Sequence, residues 1–564
     1  MKMKKYVAGV LKNFIDLEED KILALLETPP NREMGDVAFP CFLLAKTYKK
    51  APQIIAAETA EKIQDEMVKA KPAGPYLNFY FNRANYASKL IEEILNLKEN
   101  YGKSNIGEGK TIVVDFSSPN IAKPFSLPHL RSTMIGNAII KLHRAIDYKV
   151  IGINHLGDWG TQFGKEIVAY KKWGNDEAIK QDPIEELVKI YIKFHEEAEK
   201  HPELEDEARL WFKKLEQGDE EAVSLWKWFV DESLKEFNKI YELLGVSFEY
   251  FMGESFYNDK MERVVNELEE KKLLEESEGA QIVDLSDEDM PPALIKKKDG
   301  SSIYATRDLA AALYRKDTFN FEKIFYVVGN EQALHFKQVI AVFKKMGYKW
   351  ADNMLHVPFG LMLFENKKMS TRKGTIVLLE EVLQKSIEMA DKIIEEKNPE
   401  LPDRKEVAKA IGVGAVIFND LKNHRMHEVN FTWEEALNFD GETGPYVQYT
   451  NARTRSLLRK SSLAEQDLKE IDGQFLLGEA AWDLIFMLSG YPDVIAKAAE
   501  RAEPSVLARF LLDISAQFNR FYHQERIITD SLDEQKAKLG LSAATSYVLQ
   551  HGLDTLGLKA PEAI

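Results

Sequence analysis

The chain has 564 residues, 45% apolar and 29% charged, with a formal net charge of −16. That length provides for two to four domains with full cores, and the composition excludes a disordered chain or one built around an apolar run of ~18–20 residues spanning a bilayer. A single cysteine, Cys41, excludes an internal disulfide or a cysteine metal cluster and fits a cytoplasmic protein, while the acidic total leaves room for a local basic track to nucleic acid.

In chain order, residues 1–100 form a small module. MKMKKYVAGVLKNFIDLEED has helical periodicity with acids directly behind the lysines, so it is an amphipathic helix and not a signal peptide. AGPYLNFYFN alternates like a strand, and LKENYGKSNIGEGK, near 98–110, is expected to be a linker. The β-branched run Thr111-Ile112-Val113-Val114 then predicts a strand, followed by the polar turn DFSSPNIAKPFSLPHLRST (115–133) and a helix. Strand, polar turn and helix open an α/β nucleotide-binding fold, with phosphate at the helix N-terminus. A second strand, YKVIGI, leads into NHLGDWGTQFG, whose three glycines suggest a turn pressed against a ligand.

Residues 175–250 have apolar positions at helical spacing among Glu and Lys, as solvated amphipathic helices do. Lys368-Met369-Ser370-Thr371-Arg372-Lys373-Gly374 is a cationic loop suited to polyphosphate. Residues 400–564 read as helices broken at Gly441, Gly444-Pro445, Gly490 and Pro504. GETGPYVQYTNARTRSLLRK and FNRFYHQERII interleave aromatic and basic residues there, a mixture that can stack and clamp single-stranded RNA or simply form core.

These segments resemble the arginyl-tRNA synthetase family of class I aminoacyl-tRNA synthetases. SSPNIAKP and LRST flank the tetrad Ser126-Leu127-Pro128-His129, a variant of His-x-Gly-His; NHLGDWGTQFG matches letter for letter. GDVAFP, AGPYLNFYF, KMSTRKG and the terminal GLDTLGLKAPE follow the family's order, so the resemblance spans nearly the whole chain. It implies an α/β fold: a Rossmann-type parallel-sheet catalytic domain at 108–390 with a helical insertion at about 175–300, a small α/β N-terminal domain at 1–100 contacting the tRNA body, and an all-α anticodon-binding bundle at 400–564.

The implied reaction activates L-arginine with ATP and transfers it to the 2′-hydroxyl of tRNA(Arg), activation itself requiring the tRNA. Catalytic roles fall to Lys123, His129, Arg372 and Lys373. ATP falls to Ser126, Pro128, His129, Met369, Ser370 and Lys373. The guanidinium falls to Asp308, Glu254 and Tyr304, and the α-amino and carboxylate groups to Asp115, Asn120 and Gln332. Tyr446 and Tyr449 would meet anticodon bases. Mg²⁺ would arrive with ATP, with no structural metal in the chain. The partners implied are tRNA(Arg), L-arginine and ATP, not DNA or a membrane, for a cytoplasmic monomer. Pro128 carries the alternative of a catalytically weakened relative that binds tRNA or arginine, because proline removes an N–H and adds a ring where glycine lets backbone approach adenine.

Overall fold

The structure is a computed structural model that describes residues 2–297, 304–368 and 377–564. In the N-terminal module, helix α1 (Lys2–Leu11) accompanies strands β1 (Val37–Pro40), β2 (Val68–Ala73) and β3 (Tyr76–Phe81), which form an antiparallel sheet with β3 central. The alternation in YLNFYF becomes β3, with Leu77, Phe79 and Phe81 on the core face. Helix α2 (Arg83–Leu97) starts at Asn82, whose side chain accepts from the Asn85 N–H.

Next, β4 (Thr111–Asp115), α3 (His129–Ala145), β5 (Lys149–Asn154) and α4 (Thr161–Trp173) lay down the nucleotide-binding half of a parallel sheet. Strand β6 (Tyr250–Phe251), helix α5 (Tyr304–Phe319), β7 (Lys323–Tyr326), α6 (Ala333–Lys345) and β8 (Met354–His356) complete it, in the order β8-β7-β4-β5-β6 with every pairing parallel. Ile112, Val113 and Val114 are wholly buried, as a parallel strand covered on both faces requires. The acidic stretch expected to be helical supplies helices Pro183–Ala198, Glu203–Glu216 and Glu220–Leu244, which pack on α4. Beyond β8, strands β9 (Met362–Phe364), β10 (Lys367–Lys368) and β11 (Val429–Phe431) make a small separate sheet.

Helix α7 (Arg404–Leu421) leads to a bundle of α8 (Gly444–Lys460), α9 (Glu479–Glu500), α10 (Ser505–Gln524) and α11 (Leu532–Thr555). Gly444 and Pro445 start α8 under a Thr443 cap, and Pro504 directly precedes α10, where a proline is tolerated. The expected break at Gly490 is absent, since α9 runs through it and through Pro492. Pro492 has no N–H for the carbonyl of Leu488 one turn earlier, and the Tyr101 hydroxyl donates to that carbonyl at 3.0 Å instead. Tyr101 comes from the stretch expected to be a linker; it is buried against α9, so the segment is an anchored crossing. Through it and α2, the N-terminal module sits on α9 and α11. Helix α3 is buried nearly all round because α7, α9 and α11 pack against it as well as the sheet.

Candidate active site

The turn after β4 is held in an unusual backbone. Ser117, Ser118 and Ala122 have positive φ (71°, 51° and 57°), a conformation that costs non-glycine residues about 1 kcal/mol or more each unless the surroundings impose it. At Ser117 the LRST segment imposes it, while Ser118 is held by Asn154 and the Ala122 N–H by the Ser233 hydroxyl. The Ser132 hydroxyl accepts from the Ser117 N–H at 2.9 Å, and the Ser117 hydroxyl lies 2.8 Å from those of Thr133 and Tyr241. Arg131, 1% exposed, pairs with Asp420 at 2.8 Å and donates to the carbonyls of Gly360 and His427 at 2.7 and 2.9 Å. It ties the start of α3 to the chain around β11.

His129 is the first residue of α3. The Ser126 N–H can only donate, and it points at His129 Nδ1 from 3.0 Å, so the ring proton sits on Nε2, free to donate elsewhere. Enclosure pushes the imidazole below its ordinary pKa, and the Lys123 charge acts in the same direction, so His129 is a neutral donor at pH 7. The Ser126 hydroxyl, expected to reach phosphate, lies 3.0 Å from the same Nδ1. Pro128 holds φ −58° and ψ −28°, values a helix start accommodates without strain, and its carbonyl accepts from the Arg131 N–H. Lys123 shares a small crevice with Gln162, Glu166 and Tyr191; burial pushes the Glu166 carboxyl well above its ordinary range, against the pull of Lys123.

Met369, Ser370, Arg372 and Lys373 lie outside the described residues. The chain resumes beside the tetrad, where the Val377 carbonyl accepts from the Leu127 N–H at 2.9 Å and the Leu379 N–H donates to Phe125 at 3.0 Å.

Asp115, Asn120, Glu254, Tyr304, Asp308 and Gln332 all line one cavity of about 420 Å³ at the carboxyl ends of the strands. His155, Tyr326 and His335 stand in the same wall. The NHLGDWG motif builds this wall. Asn154 accepts from the Ser118 N–H and donates to Tyr241, so it braces the turn after β4. Gly157 exchanges backbone bonds with Pro119 and Ile121, and a Cβ there would strike the Asn120 carboxamide. Asp158 accepts from the Ser255 N–H at 2.8 Å and the Ser255 hydroxyl at 2.6 Å, and it fills the space that a Cβ on Gly253 would need. Those bonds hold Glu254 at the cavity.

Two features of the cavity were missed by sequence reasoning. Arg315, 1% exposed, donates to Asp115 at 2.7 Å, so that carboxylate enters the site already paired. The trace it leaves is a lone arginine in the apolar run AAALYRKD, seven residues and two helical turns after Asp308. His335, one turn after Gln332, places Nε2 2.5 Å from Asp308 Oδ2. Glu254 faces Arg307 at 3.7 Å, yet burial outweighs that charge and raises its carboxyl to about 7.

In the bundle, Tyr449 lines a groove of about 580 Å³ with Arg453, Arg459, Lys460, Tyr522 and Arg526. The Arg453 guanidinium lies 5.1 Å from the Tyr449 ring and 5.0 Å from that of Tyr522. Tyr446, one turn earlier, does not line this groove; its hydroxyl accepts from Asn519 at 3.1 Å.

A histidine-led helix at the carboxyl edge of a parallel sheet, beside an acid-lined cavity and a helical bundle, is the architecture of a class I aminoacyl-tRNA synthetase. The family model for the class I (R) tRNA synthetase catalytic domain matches residues 90–433, the arginyl-tRNA synthetase N-terminal domain 1–81, and the DALR anticodon-binding domain 447–564. The chain is 54% identical over 565 residues to arginine–tRNA ligase 2 of Bacillus anthracis, covering 100% of both. It is 51% identical to arginine–tRNA ligase of Clostridioides difficile, covering 99% of each. The solved arginyl-tRNA synthetase of Thermus thermophilus superposes with a TM-score of 0.81 at 25% identity, covering 100% of this chain and 99% of that one. The chain belongs to the arginyl-tRNA synthetase family.

Proposed function

We propose that the chain ligates L-arginine to tRNA(Arg) at the expense of ATP. The observation that carries this is the convergence of Asp115, Asn120, Glu254, Tyr304, Asp308 and Gln332 on one cavity at the carboxyl end of β4. A guanidinium is always charged and presents a planar fork of donors, so its pocket needs carboxylates, here Asp308 and Glu254 with the Tyr304 ring. At the other end, Asp115, Asn120 and Gln332 take the α-amino and carboxylate groups.

In the first step an oxygen of the arginine carboxylate bonds to the α-phosphorus of ATP as the bond to pyrophosphate breaks. In the second, the ribose 2′-oxygen bonds to the acyl carbon, the bond from that carbon to the bridging oxygen breaks so that AMP departs with it, and the hydroxyl proton passes to the departing phosphate or to water. Positioning and charge stabilisation do most of the work in such chemistry. His129 Nε2–H donates to the phosphate oxygens, Lys123 adds its charge, and Pro128 lines the adenine side. Met369, Ser370, Arg372 and Lys373 are assigned to ATP and pyrophosphate by sequence alone. Mg²⁺ would arrive on the phosphates.

The groove around Tyr449, Arg453 and Tyr522 suits unstacked anticodon bases, with Tyr446 behind it. We divide the chain at about 100 and 400 into tRNA-body, catalytic and anticodon domains, in a cytoplasmic monomer. The test is charging of purified tRNA(Arg) with labelled arginine, wild type beside Pro128→Gly. Wild type charges, and Pro128→Gly stays within about fivefold while losing roughly 1 kcal/mol of stability, because the proline already has helical φ. A wild type that charges nothing overturns the proposal; a variant far more active than wild type would show Pro128 to be a defect.

A further inference from the structure

Asp308, on the first turns of α5, and His335, in the first turn of α6, meet across the cavity wall, with His335 Nε2 2.5 Å from Asp308 Oδ2. Neither side chain is sealed in the core, His335 being 22% and Asp308 27% exposed, so the pair faces the space where substrate enters. The His335 ring is itself seated. It packs edge-on against Phe336, which is stacked with His356 and in contact with Tyr326. A carboxylate accepts through about four lone-pair positions on two oxygens, and bidentate recognition of a planar fork needs both oxygens held in one plane.

We infer that His335 is a specificity-determining positioning residue: its bond to Oδ2 fixes the plane of the Asp308 carboxylate and presents Oδ1 and the open side of Oδ2 to a guanidinium. A point-like ammonium gains little from that plane, whereas a guanidinium fork depends on it. This rests on the assignment of Asp308 to the guanidinium made above.

The test is tRNA charging by the full chain with KM for arginine and for ATP measured separately, per active site. In His335→Met, which keeps volume but lacks the donor, KM for arginine rises about 10- to 100-fold while KM for ATP stays within about twofold. In His335→Gln, whose amide supplies an N–H, most of the loss is recovered. Should the Met variant not fold, His335→Asn, with its shorter amide, replaces it. The Asp308→Ala, His335→Met double variant is no weaker in arginine than Asp308→Ala alone, because His335 acts only through that carboxylate. Unchanged arginine KM in His335→Met, equal loss in His335→Gln, or additive losses in the double variant would overturn the inference while leaving the pocket assignment standing. An Asp308→Ala variant with normal arginine KM would overturn both.

Discussion

At the scale of single residues, burial decides how one acid of the pocket meets arginine. Glu254 is raised to about 7 mainly by burial, with Asp158 and Asp308 adding to the rise and Arg307 opposing it. Arginine carries a permanent charge and binds the ionised form, so binding must expel a proton wherever Glu254 holds one. Above pH 7 no proton needs to leave; below it, KM for arginine climbs, by up to about tenfold per pH unit. Charging assays between pH 5.5 and 8.5 check this, and Glu254→Gln should flatten the curve. Of this site, the pocket-lining acids were legible in the sequence because their neighbours are distinctive: YATRD, GES and the long turn after β4. Arg315 and His335 were not, since each matters only for the partner that folding brings to it. A buried arginine and a partly buried histidine look like any others until Asp115 and Asp308 stand opposite them.

The elements show a similar division. Strands β4 and β5 follow from their β-branched composition, and α3 from its apolar, helix-compatible composition, because local pattern and burial agree there. Helix α9 does not follow, because Gly490 and Pro492 break the local pattern and a distant residue repairs it. Removing the hydroxyl in Tyr101→Phe leaves the Leu488 carbonyl enclosed without a donor, at about 1–3 kcal/mol. Thermal unfolding of the variant measures that loss. The loss should shrink in a Pro492→Ala background, where residue 492 regains an N–H for the same carbonyl. Equal losses in both backgrounds would mean that the hydroxyl is not replacing the helix bond.

For the molecule as a whole, acid is the expected weakness. His143, in α3, and His551, in α11, are each pushed down to about 4 by burial. Their unfolded values lie near 6.5, so between pH 6.5 and 4 the unfolded chain takes up protons that the folded one refuses. The stability these rings confer is complete above pH 6.5 and is lost as pH falls towards 4, by at most about 3 kcal/mol each. Urea unfolding at pH 7 and pH 5 should show the loss, and His143→Gln should reduce it if the variant folds.

The bond from Tyr101 to Leu488 joins residues 387 positions apart, and α2 rests on α9 and α11. On the ribosome, at about 5–20 residues per second, the first module would wait some 20–80 seconds for the surface it covers. Throughout that interval Tyr86, Ile91 and Tyr101, which in the finished molecule meet Trp482, the stretch of α11 around Gly540, and Tyr491 respectively, face water or a chaperone. The last helices made therefore close a ring that the first hundred residues opened, and a chain halted before α9 would carry a greasy, unfinished edge at its front.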